Sequence, residues 1–121
     1  MTAEKFLDLL QESRDRRDGI MLGKGVEYQT TADFLANFKQ VADMVDVTPL
    51  LVWAIYFHKH VCSIMKYVQT GKDSAEGIES RFDDCANYLA LGWALIQELV
   101  DHENITPAAL GSNVSFSKGA D

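Results

Sequence analysis

Four oxygen-bearing side chains stand close together in the segment GIESRFDDCANYLALG, residues 77–92. Glu79, Asp83 and Asn87 follow one another at intervals of four residues, and Asp84 is adjacent to Asp83. On a helix, this spacing brings the four side chains close enough to converge on one ion. Carboxylate and amide oxygens suit a hard cation such as Mg²⁺, which commonly bridges to phosphates. The ordinary alternative is that these acids stabilise the start of a helix through its dipole.

A second polar set, with cations instead of acids, precedes this segment. Lys59, Ser63 and Lys66 share one helical stripe, and Tyr56 lies beside it. Two ammonium groups and a hydroxyl can hold phosphates, and a tyrosine ring can stack on a base. The alternative is a solvated lysine edge. The two polar sets would be complementary if their helices packed as neighbours.

Other patterns are weaker. The sequence GKG around Lys24 resembles a phosphate-binding loop, but the rest of the GxxxxGK[ST] motif is absent. His58 and His60 point to different sides of a helix, so they do not form an HExxH zinc pair. No serine or cysteine has a histidine and an acid at a spacing that indicates a nucleophile.

Glycines and prolines divide the chain into four helices. Apolar spacing predicts a first helix over about residues 3–17. A loop should follow, with a short extended piece at residues 26–28, because three glycines fall within seven residues. The second helix is predicted to begin at Thr30 or Thr31 and to end near Val45.

The third and fourth helices have clearer boundary signals. Thr48 and Pro49 predict an N-cap and a first helical residue, and Gly71 predicts the end of the third helix. The fourth is predicted from Asp73 or Ser74 to about residue 102. There, Glu76 would complete a capping box with Asp73.

These helices, joined by short connections, predict an all-α, four-helix bundle-like fold. Residues 1–103 would form a single domain. Residues 104–121 would form a short helical turn and a loose tail.

The last long helix has apolar residues nearly all round. The stripe that we expect to face the core is Phe82, Leu89, Trp93, Ile96 and Val100. Leu91, Leu95 and Leu99 lie away from that stripe. A helix buried on all sides predicts an oligomer with this helix at the subunit interface. Gly92, in the middle of the helix, fits the close approach of another backbone.

The composition bounds the function classes. The chain has 121 residues, 47% of them hydrophobic, and a net charge of −7, which opposes binding to nucleic acid or to an anionic membrane. Cys62 and Cys85 lie in separate apolar stretches, which favours two buried thiols in a reducing compartment. The N-terminal segment has early acids and no long apolar core, so we expect a cytoplasmic protein.

Four short sequences together resemble a known family: KGVEY (24–28), LANF (35–38), KHVCSI (59–64) and IESRFDDCANYLAL (78–91). They resemble the phage- and prophage-encoded nucleotide-modification-associated domains, which are distant relatives of the MazG-like, all-α NTP pyrophosphatases. The resemblance covers about half of the chain. Within its most specific motif, the matching positions are Glu79, Asp84, Asn87 and Tyr88.

The resemblance implies an oligomeric, nucleotide-handling protein in the host cytoplasm. MazG-like members use acidic helices to bind Mg²⁺ and to release pyrophosphate from nucleoside triphosphates, which would make Glu79, Asp83 and Asp84 metal ligands. This chain lacks their tandem EExxE helix and has Lys59 and Lys66 in the corresponding region. The resemblance therefore predicts a Mg²⁺-dependent nucleoside triphosphate pyrophosphatase. The alternative is a non-catalytic binder of a small nucleotide, such as a cyclic or ADP-ribose-type defence signal.

Overall fold

In the part of the chain that the computed structural model describes, residues 1–27, 33–73 and 75–103, every regular element is a helix. The helices are α1 (Ala3–Glu27), α2 (Ala36–Val45), α3 (Pro49–Thr70) and α4 (Ile78–Glu103). The all-α prediction is confirmed. The short helical turn and tail predicted at 104–121 lie outside the described residues.

The first helix is longer than its sequence predicts. It begins after Thr2, whose Oγ1 accepts a hydrogen bond from the backbone N–H of Lys5, and it continues through Gly19 and Gly23 to Glu27. The prediction of a loop from residue 18 and of an extended piece at residues 26 and 27 is wrong. A glycine costs a helix about 1 kcal/mol relative to alanine. That cost weakens a helix without forbidding it.

The second helix begins later than predicted. Residues 33–35 form a coil and a turn, and the helix starts at Ala36. The predicted caps, Thr30 and Thr31, lie outside the described residues. It ends at Asp46, whose left-handed backbone (φ 57°) lets its N–H donate to the carbonyl of Ala42. Aspartate tolerates this conformation better than most residues with a side chain.

Both ends of α3 are confirmed. Thr48 caps its start, where the Oγ1 atom accepts a hydrogen bond from the N–H of Leu51 at 3.3 Å. Gly71 ends it with φ 66°, and its N–H donates to the carbonyl of Tyr67 at 2.7 Å. Across the short break between α2 and α3 the chain bends by 107°. No single helix among those described is long and apolar enough to cross a membrane, although this bent pair meets that criterion jointly by length and composition.

The start of α4 differs from its prediction. Residues 75 and 76 form a turn, Gly77 has φ 85°, and the helix begins at Ile78. Glu76 therefore lies before the helix and completes no capping box. Its carboxylate instead lies 3.4 Å from the Arg81 guanidinium. A glycine with positive φ reverses the chain at the point where the capping pattern places the first turn.

The chain divides into two compact units, Met1–Phe34 and Leu35–Asp121. In the second, α3 packs against both α2 and α4. Its buried core is formed by Leu35, Phe38, Ala42, Val52 and Leu95. The single domain over residues 1–103 stays a prediction.

The inward side of α4 is opposite to the predicted one. Leu95 is only 1% exposed and Leu91 packs against the core, whereas Phe82, Leu89 and Trp93 are each 57% exposed. Because α4 is apolar on both sides, its periodicity could not determine which side faces inward. Which side of α4 is buried depends on the side chains of α3 that pack against it.

A close contact between α3 and α4 fixes which side of α4 faces inward. The indole N–H of Trp53 donates to the carbonyl of Tyr88 at 2.6 Å, and the indole ring covers Gly92. A Cβ atom on residue 92 would overlap the ring of Trp53. The close approach predicted at Gly92 therefore comes from a side chain of the same protein, not from the backbone of a second copy.

Candidate functional site

An open cleft of about 540 Å³ lies where α3 ends and α4 begins. The residues lining it are Ser63, Lys66, Tyr67, Thr70, Lys72, Asp73, Ile78 and Arg81. Its volume falls in the range of small-molecule sites, about 300–1,000 Å³. Three of the lining residues are cations and one is an acid. The cleft is therefore a local basic site in a chain whose net charge is −7.

The hydroxyl groups of the cleft are used mainly to shape it. Thr70 donates to the carbonyl of Lys66 at 2.8 Å and accepts from the backbone N–H of Lys72 at 3.2 Å. Ser63 donates to the carbonyl of Lys59 at 3.2 Å. The two bonds of Thr70 hold the turn that carries Lys72. The ammonium and guanidinium groups remain as the strong donors to a ligand.

Arg81 is the charged residue that α4 supplies to the cleft. Its guanidinium lies 3.4 Å from the carboxylate of Glu76, which is 65% exposed. An ion pair with so exposed a carboxylate contributes little to stability. The planar guanidinium can bind a phosphate through two parallel hydrogen bonds.

The structure separates the predicted basic stripe. Ser63 and Lys66 line the cleft, while Lys59 is exposed outside it. Tyr56 lies at the core, with its ring centroid 6.1 Å from that of Phe38. The side chain of Lys24 lies outside the described residues.

The predicted acidic set is also separated. Asp83 and Asn87 are buried at 3% and 8% exposure, on the inward side of α4, whereas Glu79 is exposed. Within residues 1–27, 33–73 and 75–103, no three His, Cys, Asp or Glu side chains are arranged to hold a metal ion. The Mg²⁺ site predicted at Glu79, Asp83 and Asp84 stays a prediction.

Asp84 and Tyr88 instead contact a histidine of α3. Nδ1 of His60 lies 3.7 Å from the Asp84 carboxylate, and the His60 ring centroid lies 4.5 Å from that of Tyr88. Burial, with Tyr56 and Asp84 nearby, raises the pKa of Tyr88 above its usual value. Burial and the Asp84 charge likewise raise the pKa of Cys85. This half-buried cluster keeps its phenol and its thiol protonated at neutral pH.

Sequence reasoning missed several members of the cleft. The sequence predicts Thr70 only as the end of the third helix and Asp73 only as a cap of the fourth, and it predicts no binding role for Lys72 or Ile78. A signal was present, because Gly71 predicts a chain reversal that brings the end of α3 next to the start of α4. Applying that reversal would have placed Lys72 between Lys66 and Arg81.

Comparison of the chain with protein-family models, with curated proteins and with solved structures found no match.

Proposed function

We propose that this protein binds a small nucleotide by its phosphates, without hydrolysing it, in the cleft between α3 and α4. The observation that carries the proposal is the grouping of Lys66, Lys72 and Arg81 around one cleft of about 540 Å³. Three cations around one open cavity attract an anion of several charges. A nucleoside di- or triphosphate, a cyclic nucleotide and an ADP-ribose-type nucleotide all belong to this class.

The remaining wall of the cleft suits the other half of a nucleotide. Tyr67 lines the cleft and is 36% exposed, so its ring is accessible for stacking on a base. Ile78 adds an apolar surface at the start of α4. A site with cations on one side and an aromatic ring with an aliphatic side chain on the other can bind both parts of the ligand.

The family resemblance supports the same ligand class. Under this proposal, the protein acts in the cytoplasm of a phage host and removes a defence nucleotide from solution. Its helices would associate as a bundle-like homo-oligomer, with α4 at the subunit interface. The exposed apolar residues of α4, which include Leu89 and Trp93, support that assembly.

A ligand panel tests the proposal. Nucleoside triphosphates, cyclic nucleotides and ADP-ribose are titrated into the purified full chain by calorimetry without Mg²⁺, and recovered ligands are identified by mass. We expect one class to bind and to be recovered unchanged. Lys66→Met and Arg81→Met should each weaken binding by about tenfold, because each removes a charge-assisted hydrogen bond.

Lys59→Met is the matched control for Lys66→Met. It makes the same change on the same helix but outside the cleft. We expect it to keep full affinity. Equal losses in the two variants, or the absence of binding by every nucleotide in the panel, would rule out the cleft as a nucleotide site.

A Mg²⁺-dependent nucleoside triphosphate pyrophosphatase is the second candidate. The observation that favours it is the buried carboxylate of Asp83, one helical turn before the buried amide of Asn87. The same panel with Mg²⁺ tests it through pyrophosphate release. Release that Asp83→Asn abolishes, with nucleotide binding retained, would favour the enzyme over the binder.

A further inference from the structure

A cysteine and a histidine lie side by side on the exposed surface of α3. Sγ of Cys62 is 3.3 Å from Nε2 of His58, one helical turn earlier, and both residues are exposed. Neither residue lines the α3–α4 cleft. The proposed nucleotide site therefore makes no use of this pair.

The separation of these two atoms suits a shared metal ion. Zinc lies about 2.3 Å from a thiolate sulfur and about 2.0–2.1 Å from an imidazole nitrogen, so tetrahedral ligands of these types stand roughly 3.5 Å apart. The observed 3.3 Å is close to that separation. Both side chains project from one helix that is capped at both ends by Thr48 and Gly71. The helix therefore fixes the backbone spacing of the two ligands.

A third soft donor continues the same face. Met65 follows Cys62 by three residues and is 49% exposed. At helical spacing, His58, Cys62 and Met65 fall on one side of α3. Imidazole suits Zn²⁺ and copper, and thiolate and thioether sulfurs suit Cu⁺. A surface of lysines or carboxylates would lack these nitrogen and sulfur ligands.

We propose that His58 and Cys62 form a surface site for a thiophilic metal ion, Zn²⁺ or Cu⁺. The Cys62 thiol loses its proton to solvent as the sulfur–metal bond forms, and no oxidation or reduction takes place. Water completes the site around Zn²⁺, and the Met65 thioether joins the ligands of Cu⁺. With two or three protein ligands, the site is open, unlike the four-ligand structural zinc sites.

Competition with a coloured chelator tests this proposal. The reduced full chain is titrated with Zn²⁺ and, separately, with Cu⁺, and we expect one ion per chain. Cys62→Ser and His58→Gln should each lower the affinity by about tenfold or more, because each removes a ligand. Cys85→Ser removes the other thiol, which belongs to α4, and should leave the affinity unchanged. Circular dichroism establishes that each variant is folded.

Two further measurements separate a built site from adventitious binding. In the Cys85→Ser background, bound metal should slow alkylation of the remaining thiol, and Co²⁺ should give the sulfur-to-metal absorption band that Cys62→Ser removes. Met65→Leu should weaken Cu⁺ binding and leave Zn²⁺ binding unchanged. If Cys62→Ser binds each ion as tightly as the wild type does, the proposal is overturned. The contact between Cys62 and His58 would then be a hydrogen bond without a role in metal binding.

Discussion

At the scale of single residues, one contact determines how α3 and α4 meet. Trp53 stacks on Phe57 with ring centroids 5.2 Å apart and an interplanar angle of 6°, and its N–H donates to the carbonyl of Tyr88. Gly92 leaves the space that the indole fills. The glycine is therefore required by packing within the chain, despite its cost to the helix.

Gly92→Ala tests this contact. The added methyl group would overlap the indole of Trp53. We expect the free energy of unfolding to fall by about 1–3 kcal/mol, as for other overpacked sites, measured by urea denaturation. In a Trp53→Leu background the same change should cost much less, because the ring is absent. An equal cost in both backgrounds would contradict the assigned contact.

Tyr88 makes the protein sensitive to alkaline pH. Burial, with Tyr56 and Asp84, raises the pKa of its phenol in the folded chain. The folded state therefore holds this proton more tightly than the unfolded state. The resulting stability is fully present at neutral pH and is lost as the pH rises from the ordinary tyrosine pKa through the raised one.

Tyr88→Phe should remove the part of the stability loss at alkaline pH that comes from ionisation of the Tyr88 phenol. We expect the variant to lose less stability than the wild type between neutral and alkaline pH in urea titrations. Cys85, whose pKa is also raised, contributes with the same sign at lower pH. Both proteins are therefore compared in a Cys85→Ser background. If the free energy of unfolding of the two proteins falls in parallel with rising pH, Tyr88 does not cause the alkaline loss of stability.

At the scale of elements, the helix boundaries follow their caps where a cap is specific. Thr48 with Pro49, and Gly71 with its left-handed backbone, define α3 at the residues that the sequence predicts. The start of α4 departs from its capping-box pattern because Gly77 reverses the chain four residues later. That reversal places Arg81 in the cleft with Lys66.

Two glycine substitutions with opposite expected signs test these assignments. Gly71→Ala forces a side chain into φ 66° and should lower stability by about 1 kcal/mol. Gly19→Ala lies inside α1, where nothing stands within 4 Å of the added methyl, and should stabilise the helix by about 0.5–1 kcal/mol. Circular dichroism during urea unfolding measures both. A stabilising Gly71→Ala would contradict the left-handed C-cap.

At the scale of the whole molecule, α4 carries an apolar face that the described chain leaves exposed. Phe82, Leu89 and Trp93 recur along that face, each 57% exposed. A contiguous patch of large apolar side chains marks an interaction surface. An oligomer of the predicted kind would use this side of α4, opposite to the side that packs on α3.

Trp93→Glu tests that assembly. A charge buried between two copies has no partner, so the variant should dissociate into monomers while its circular dichroism is retained. Light scattering after gel filtration measures the mass. Met44→Glu is the control, because Met44 is an exposed apolar residue that belongs to α2 and not to α4. A wild-type protein that is already monomeric would contradict the predicted oligomer.

The sequence by itself determined the helical class and the sharpest boundaries. Both boundaries of α3 could be predicted, because they follow from the backbone and side-chain chemistry of Thr48, Pro49 and Gly71 themselves. Glycine content misled at α1, because Gly19 and Gly23 lower helix propensity without preventing hydrogen bonds. Local signals of this kind depend only on neighbours in the chain.

Only the tertiary structure decided which polar residues meet. The spacing of Asp83 and Asn87 is compatible with either a solvent-exposed or a buried position. With Trp53 packed on Gly92, α4 is rotated so that both side chains are buried. Lys66, Lys72 and Arg81 come from three successive segments, which no single helical period relates. A helix that is apolar on two sides leaves its rotation undetermined, since its periodicity marks no single inward side. The packing of α3 against α4 removes that degeneracy and builds the basic cleft.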